Sequence, residues 1–387
     1  GLPAGGEDPA GLLTLALAAA GAVLGGTAGS FGAALYLSIR WRLKGDGVGL
    51  RARRQAPPAG RWRDTAKALL KITGPVAAGS IAMNAAGLLD ATFLQSRIAH
   101  IIETAPGRLL AAYEGMIPAM YLEHHETVPT FLYGCYTLAM TLYLLVPALT
   151  QAIGMSALPA VTEAWARRDR PQLKERMESV LSVTALVCAP AGLGLTALAE
   201  PIASLLYGGG SAPIVAGVLL TLGPASLFAA MNTPVSSMLQ AAGRADLPVK
   251  LLAVAMALKI GVNWYLCAIP EINLRGAGMG TLACYLFLAA AQLYCLHKVT
   301  GVKLSFKRLF LKPLICGALC GCGAWGAYRG MAALGLGNGT AVGAAIVCGG
   351  IIYIFGLLLT RGIPKKDLIM LPKGQKIAKT LEKRGWI

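Results

Sequence analysis

Residues 201–243 contain no charged side chain. A helix crosses the ~30 Å hydrocarbon core of a bilayer with about 20 mostly apolar residues, so this stretch is too long for one crossing. It is also too apolar to lie against water. The run Gly208-Gly209-Gly210, flanked by Tyr207 and Pro213, supplies a turn that divides it into two. Runs of the same kind recur along the chain, at about 11–39, 66–94, 129–155, 179–206, 213–239, 249–268, 276–297, 311–334 and 339–361. Composition agrees: 56% of residues are hydrophobic and 14% charged, against roughly 25% charged in soluble chains. A water-soluble domain, a disordered chain, a collagen and a secreted disulfide scaffold are excluded. The predicted class is an all-α polytopic membrane protein with nine spans.

The basic residues orient it. With alternating sides, the connections at 40–71, 163–178, 240–250 and 298–312, together with the tail from Arg361, hold thirty of the thirty-five Lys and Arg. The opposite side holds Arg97, Arg108, Arg275 and Arg329, and Lys259 falls inside a span. A miscounted helix would invert the pattern downstream of the error. Lys and Arg concentrate on the cytoplasmic side, so the chain is expected to begin outside and end inside a bacterial cytoplasmic membrane. The first residue is Gly and no signal region precedes the first apolar run, which reads as part of a longer protein. The basic tail, with Ile369, Ile377, Leu381 and Trp386 among its lysines, suits a helix resting on anionic lipid. Net charge of +17 is thereby assigned to the membrane and not to nucleic acid.

Chemistry-bearing clusters are sparse. The nine cysteines sit mostly in apolar stretches and read as small hydrophobes. Cys316, Cys320 and Cys322 lack a neighbouring His or acid and do not have zinc-site spacing, so neither a metal nor a cofactor is expected. The connection at 95–128 is read as an outer loop in which His124 and His125 are solvated. No catalytic constellation and no phosphate-binding loop ending in Lys-Ser or Lys-Thr occurs, so the chain is not read as an enzyme. Prolines fall inside the helical runs at Pro75, Pro147, Pro159, Pro190, Pro224 and Pro234. Bent, glycine-rich helices suit an alternating-access carrier, although ordinary tight packing also explains the glycines.

Ionisable residues inside a span are functional candidates. Lys259 lies nine residues beyond Lys250, about 13 Å deep at 1.5 Å per residue. Asn263, one turn on, shares its face. Together they could line a wet cavity for an anionic group such as a lipid pyrophosphate; equally, the lysine could pair with a carbonyl or acid of a neighbouring helix. Asn84, Asn232 and Gln240 are further candidates for substrate binding, with Thr150 and Gln151 as polar groups that either face a cavity or join helices. Asp90 and Glu200 are candidates for a coupling proton or cation, or plain boundary charges.

The segments Leu132–Tyr136, Leu144–Gly154 with Pro147 and Thr150, and Leu158–Ala164 with Pro159 and Glu163 resemble polysaccharide exporters and flippases. So do Met238–Arg244 followed by Pro248 and Lys250, Leu258–Asn263, and Ile269–Thr281. These belong to the multidrug/oligosaccharidyl-lipid/polysaccharide superfamily, and the likeness is to its stage V sporulation and lipid II flippase members. The resemblance implies a MATE-like bundle of fourteen helices, two six-helix lobes about a central cavity plus two more. The nine runs would be helices six to fourteen. Residues 1–40 would then close the first lobe, 41–65 form a basic linker, 66–298 the second lobe, 299–362 two additional helices, and 363–387 a cytoplasmic tail. The implied function is movement of an undecaprenyl-linked saccharide, such as a peptidoglycan precursor, by a monomer. The alternatives are a cation-coupled multidrug exporter on the same fold, or a membrane-embedded glycan ligase or polymerase.

Overall fold

The computed structural model describes residues 9–45, 61–122, 125–305 and 307–360, and every regular element among them is helical. Residues 46–60, in the expected linker, His124 and the residues from Arg361 onward lie outside the described residues. The chain divides into two compact units, Gly1–Leu70 and Lys71–Ile387.

The first unit is built on helix α1 (Pro9–Lys44). Leu24, Phe31, Leu37 and Trp41 are exposed on it, and its apolar residues are spread around the axis. A helix apolar on all sides is a membrane span or a core helix.

Helix α2 (Trp62–Thr104) runs into the second unit. It continues past the expected end of its span, through what was read as loop. Leu94, Ile98 and Ile101 recur at helical spacing and are buried, so the amphipathic pattern persists. It stops where Pro106 removes an N–H and disfavours helical backbone at Ala105. The remainder of the expected loop holds two short helices, α3 (Pro106–Ala112) and α4 (Ala119–Leu122), and a 3-10 turn, His125–Thr127. Burial pushes the phenol of Tyr113 up to about 12, while the Leu274 backbone and the Arg275 guanidinium pull it the other way.

Eight further helices follow: α5 (Val128–Ala166), α6 (Arg170–Ala197), α7 (Ala199–Leu206), α8 (Ser211–Ala241), α9 (Asp246–Leu266), α10 (Asn273–Thr300), α11 (Lys312–Ala333) and α12 (Asn338–Leu359). All except α7 are long and apolar enough to cross a membrane, α11 together with the π-turn before it, which makes seven among the described residues. That is two fewer than the nine expected; the first two expected spans fall within α1 and α2. The expected fourth span is interrupted at Leu198, because Pro201 lacks the N–H that would bond to Ala197 and its ring crowds that carbonyl. The glycine turn is where it was expected: Gly208 and Gly209 take left-handed backbone (φ 58° and 53°) between α7 and α8.

Helix α8 is the axis of this unit. Its most apolar window is 78% buried, against 17–44% for the other spans, and α5, α6 and α10 pack around it. The contacts are close because side chains have been omitted at the crossings. A Cβ at Gly154 of α5 would lie 2.9 Å from the backbone nitrogen of Pro234 in α8.

The prolines leave carbonyls without their helical partners, and neighbouring helices supply replacements. Pro234 cannot donate to the Ala230 carbonyl four residues back. The Thr150 hydroxyl of α5 donates to that carbonyl at 2.7 Å, with Thr150 fully buried. Pro190 likewise frees the Leu186 carbonyl of α6, and the hydroxyl of Tyr353 in α12 donates to it at 2.8 Å. Helix α11 packs along both α6 and α12, so residues up to Leu359 complete the same unit.

Candidate functional site

Helix α9 is the outlying span of the second unit: its window is only 17% buried, and it packs on α10. Its 21 residues make one crossing of about 30 Å. Val254, Leu258, Ile260, Trp264 and Tyr265 are exposed on it. The buried residues are Pro248, Leu252, Ala255, Lys259 and Asn263, a stripe at three- and four-residue spacing. The two expected residues therefore share one face, with Lys259 8% and Asn263 1% exposed.

That face meets α10. A Cβ at Gly280 would collide with the amide oxygen of Asn263 and sit 3.4 Å from the Lys259 carbonyl. Gly280 thus makes room for the asparagine. A lysine at the centre of a span costs about 2.5–3.5 kcal/mol on insertion scales, and an all-apolar stripe would pack α9 against α10 without that cost. Near the C-terminal end of α2 the Arg97 guanidinium lies 3.4 Å from the centroid of the Trp264 ring of α9. Such stacking fixes the end of α9 beyond Asn263.

A second polar group lies elsewhere. Gln292 of α10 is fully buried. Its Nε2 donates to Oδ1 of Asn232 at 2.9 Å and to Oγ of Ser236 at 3.1 Å, both on α8. Ser236 Oγ also donates to Asn232 Oδ1 at 3.3 Å. The remaining amide oxygen of Gln292 is buried with no hydrogen-bond partner among the described residues. Gly280 and Gln292 are twelve residues apart on α10, about 18 Å along the helix, so this cluster is distinct from the Lys259–Asn263 stripe.

Gln292 was not among the residues singled out in the sequence; the signal available was an amide inside an otherwise apolar run. Replacing it with leucine removes two hydrogen bonds and also an unpaired buried oxygen. These oppose each other, so Gln292→Leu should change unfolding free energy by less than about 1 kcal/mol. Denaturation of the purified protein in detergent measures it; a loss of several kcal/mol would show that the cluster is a structural clamp.

The other expected residues are dispersed. Gln240 is exposed, two turns beyond Asn232 at the end of α8. Glu200 is exposed in the first turn of α7. Glu163 pairs with Arg167 at 2.7 Å at the end of α5. Asn84 and Asp90 belong to α2, but their side chains lie outside the described residues. No group of three metal-ligating side chains occurs among the described residues.

The model of the family described as "Lipid II flippase MurJ" matches residues 133–337, more than half of the chain. The chain belongs to the MurJ lipid II flippase family. It is 25% identical over 259 residues to the uncharacterized membrane protein YabM of Bacillus subtilis, covering 65% of this chain and 47% of that protein. It is 24% identical over 211 residues to the lipid II flippase MurJ of the same organism, covering 52% and 38%. The chain thus spans less than half the length of these curated relatives. A solved structure of lipid II flippase MurJ in an inward closed conformation is similar over 59% of this chain and 47% of its own, with 14% identity and a TM-score of 0.48.

Proposed function

We propose that this chain is part of a flippase that moves an undecaprenyl-linked saccharide across the bacterial cytoplasmic membrane. In this reading residues 66–298 form one lobe, the chain starts outside, and it ends in the cytoplasm. Family membership supports the substrate class. The buried position of Lys259 within a single-crossing helix is the observation that carries the reading, because a cation retained there matches a diphosphate-bearing substrate.

The physical task is defined by the substrate. A sugar headgroup cannot cross hydrocarbon unaided, since each unpaired polar group costs several kcal/mol. A polar surface between two lobes shelters the head while the prenyl chain stays in lipid, and rocking of the lobes exposes it to each side in turn. No bond is made or broken, so the protein acts as a transporter and not a catalyst. Lys259 attracts the diphosphate, Asn263 and Asn232 offer amides to the sugar or its phosphates, and Asp90 or Glu200 takes the coupling ion.

The test is reconstitution of the full-length protein in liposomes with two substrates on one side, a fluorescent prenyl-diphosphate saccharide and a hydrophobic cationic dye. Transfer of the saccharide lipid to the other leaflet, without uptake of the dye, is expected. Uptake of the dye alone would replace this reading with the multidrug-export alternative.

A further inference from the structure

The end of the second unit where α5 stops, α6 begins and α10 stops carries a cavity of about 680 Å³. Three cationic side chains line it from three elements: Arg168 in the α5–α6 turn, Arg170 at the start of α6, and Lys298 in the last turn of α10. Trp165, Leu173 and Val299 supply an apolar part of the wall. Among the described residues no acidic side chain lines it.

An ordinary basic membrane face would have its cations spread out and paired. Here the neighbouring acids are engaged away from the cavity. Glu163 holds Arg167 at 2.7 Å, Glu178 lies 3.9 Å from Lys174 and accepts from the Ser305 backbone N–H at 3.1 Å, and Asp169 accepts from the Gln172 backbone N–H at 3.0 Å. Arg168, Arg170 and Lys298 form no ion pair among the described residues. Arg168 is held in left-handed backbone at φ 55°, which few non-glycine residues adopt. The Arg170 guanidinium stands 3.9 Å from where a Cβ of Gly301 would be. Gly301 is itself left-handed, at φ 68°, and leaves the rim open beside the arginine.

We propose that this cavity is a binding site for a phosphate-bearing headgroup, with Arg168, Arg170 and Lys298 on the phosphate oxygens and Trp165 and Leu173 against the adjoining apolar part of a lipid. Guanidinium groups take phosphate oxygens in paired, charge-assisted hydrogen bonds. Basic pockets between membrane helices suit anionic lipid headgroups. The site lies apart from the Lys259–Asn263 stripe and does not depend on the transport reading.

The experiment is native mass spectrometry of the full-length protein in non-ionic detergent, titrated separately with phosphatidylglycerol, phosphatidylcholine and inorganic pyrophosphate. Saturable binding of phosphatidylglycerol, at least about tenfold tighter than phosphatidylcholine, is expected. The triple variant R168Q/R170Q/K298Q should lose that preference, and R170Q alone should weaken it about threefold, a partial loss that serves if the triple variant is poorly folded. Arg167→Gln, whose side chain is paired with Glu163 outside the cavity, should bind as wild type does. Pyrophosphate that displaces the lipid only weakly assigns the site to membrane lipid; pyrophosphate that binds as tightly assigns it to a soluble phosphate source. A triple variant that binds like wild type, or an Arg167→Gln variant that loses as much as the triple, would overturn the proposal.

Discussion

In the full-length protein, Lys259→Ala is expected to slow translocation of the saccharide lipid at least about tenfold, equivalent to about 1.4 kcal/mol in the barrier, with membrane insertion unchanged. The reasoning is differential. A lysine on the buried α9 stripe that serves the substrate should, when truncated, lower the transport rate by more than it lowers the unfolding midpoint. If its role were only to join α9 to α10, alanine would loosen that contact and the unfolding midpoint would fall with activity. Lys259→Arg keeps the charge and should retain most of the transport. Measuring both variants for initial rate and for thermal unfolding separates the two roles; a rate unchanged from wild type in Lys259→Ala would remove the lysine from the mechanism.

The largest expected effect on stability is at Thr150. Thr150→Val preserves shape but leaves the Ala230 carbonyl, freed by Pro234, without a donor inside the packed centre of the unit. An unsatisfied buried backbone acceptor costs about 1–3 kcal/mol, and the adjacent Gly154–Pro234 approach leaves little space for water to substitute. The account makes a coupled claim. In a Pro234→Ala background the helix supplies its own N–H to Ala230, so Thr150→Val should then cost about 1 kcal/mol less or better. Chemical denaturation of the four proteins in detergent completes the cycle. Additive costs would mean that the hydroxyl is not serving the proline-freed carbonyl.

The elements that were legible in the sequence are those written in local chemistry. The charge-free stretch and its three glycines marked the α7–α8 turn, and the four-residue interval between Lys259 and Asn263 put them on one face. Prolines 190 and 234 were visible as bends within helical runs. Their consequence was not, because the groups that satisfy the freed carbonyls come from 80 and 167 residues away. The same distance effect hid Gln292, which matters only through Asn232 and Ser236 of α8, and the convergence of Arg168, Arg170 and Lys298. Two boundaries were misread for local reasons. Burial at Leu94, Ile98 and Ile101 carried α2 beyond its apolar run, and Pro201 cut α6 short of the expected span. Polar residues that share a span, such as Asn232 and Gln240, were treated alike, although one is half-buried and bonded to Gln292 and the other is exposed.

The central claim, that the chain is part of a flippase for lipid-linked cell-wall precursors, is tested most directly in bacteria depleted of their own lipid II flippase. Expression of the full-length protein should restore growth and return the precursor to the outer leaflet, as read by its accessibility to an external sugar-modifying enzyme. Growth arrest, with the precursor held at the inner leaflet while the protein is present in the membrane at normal levels, would contradict it.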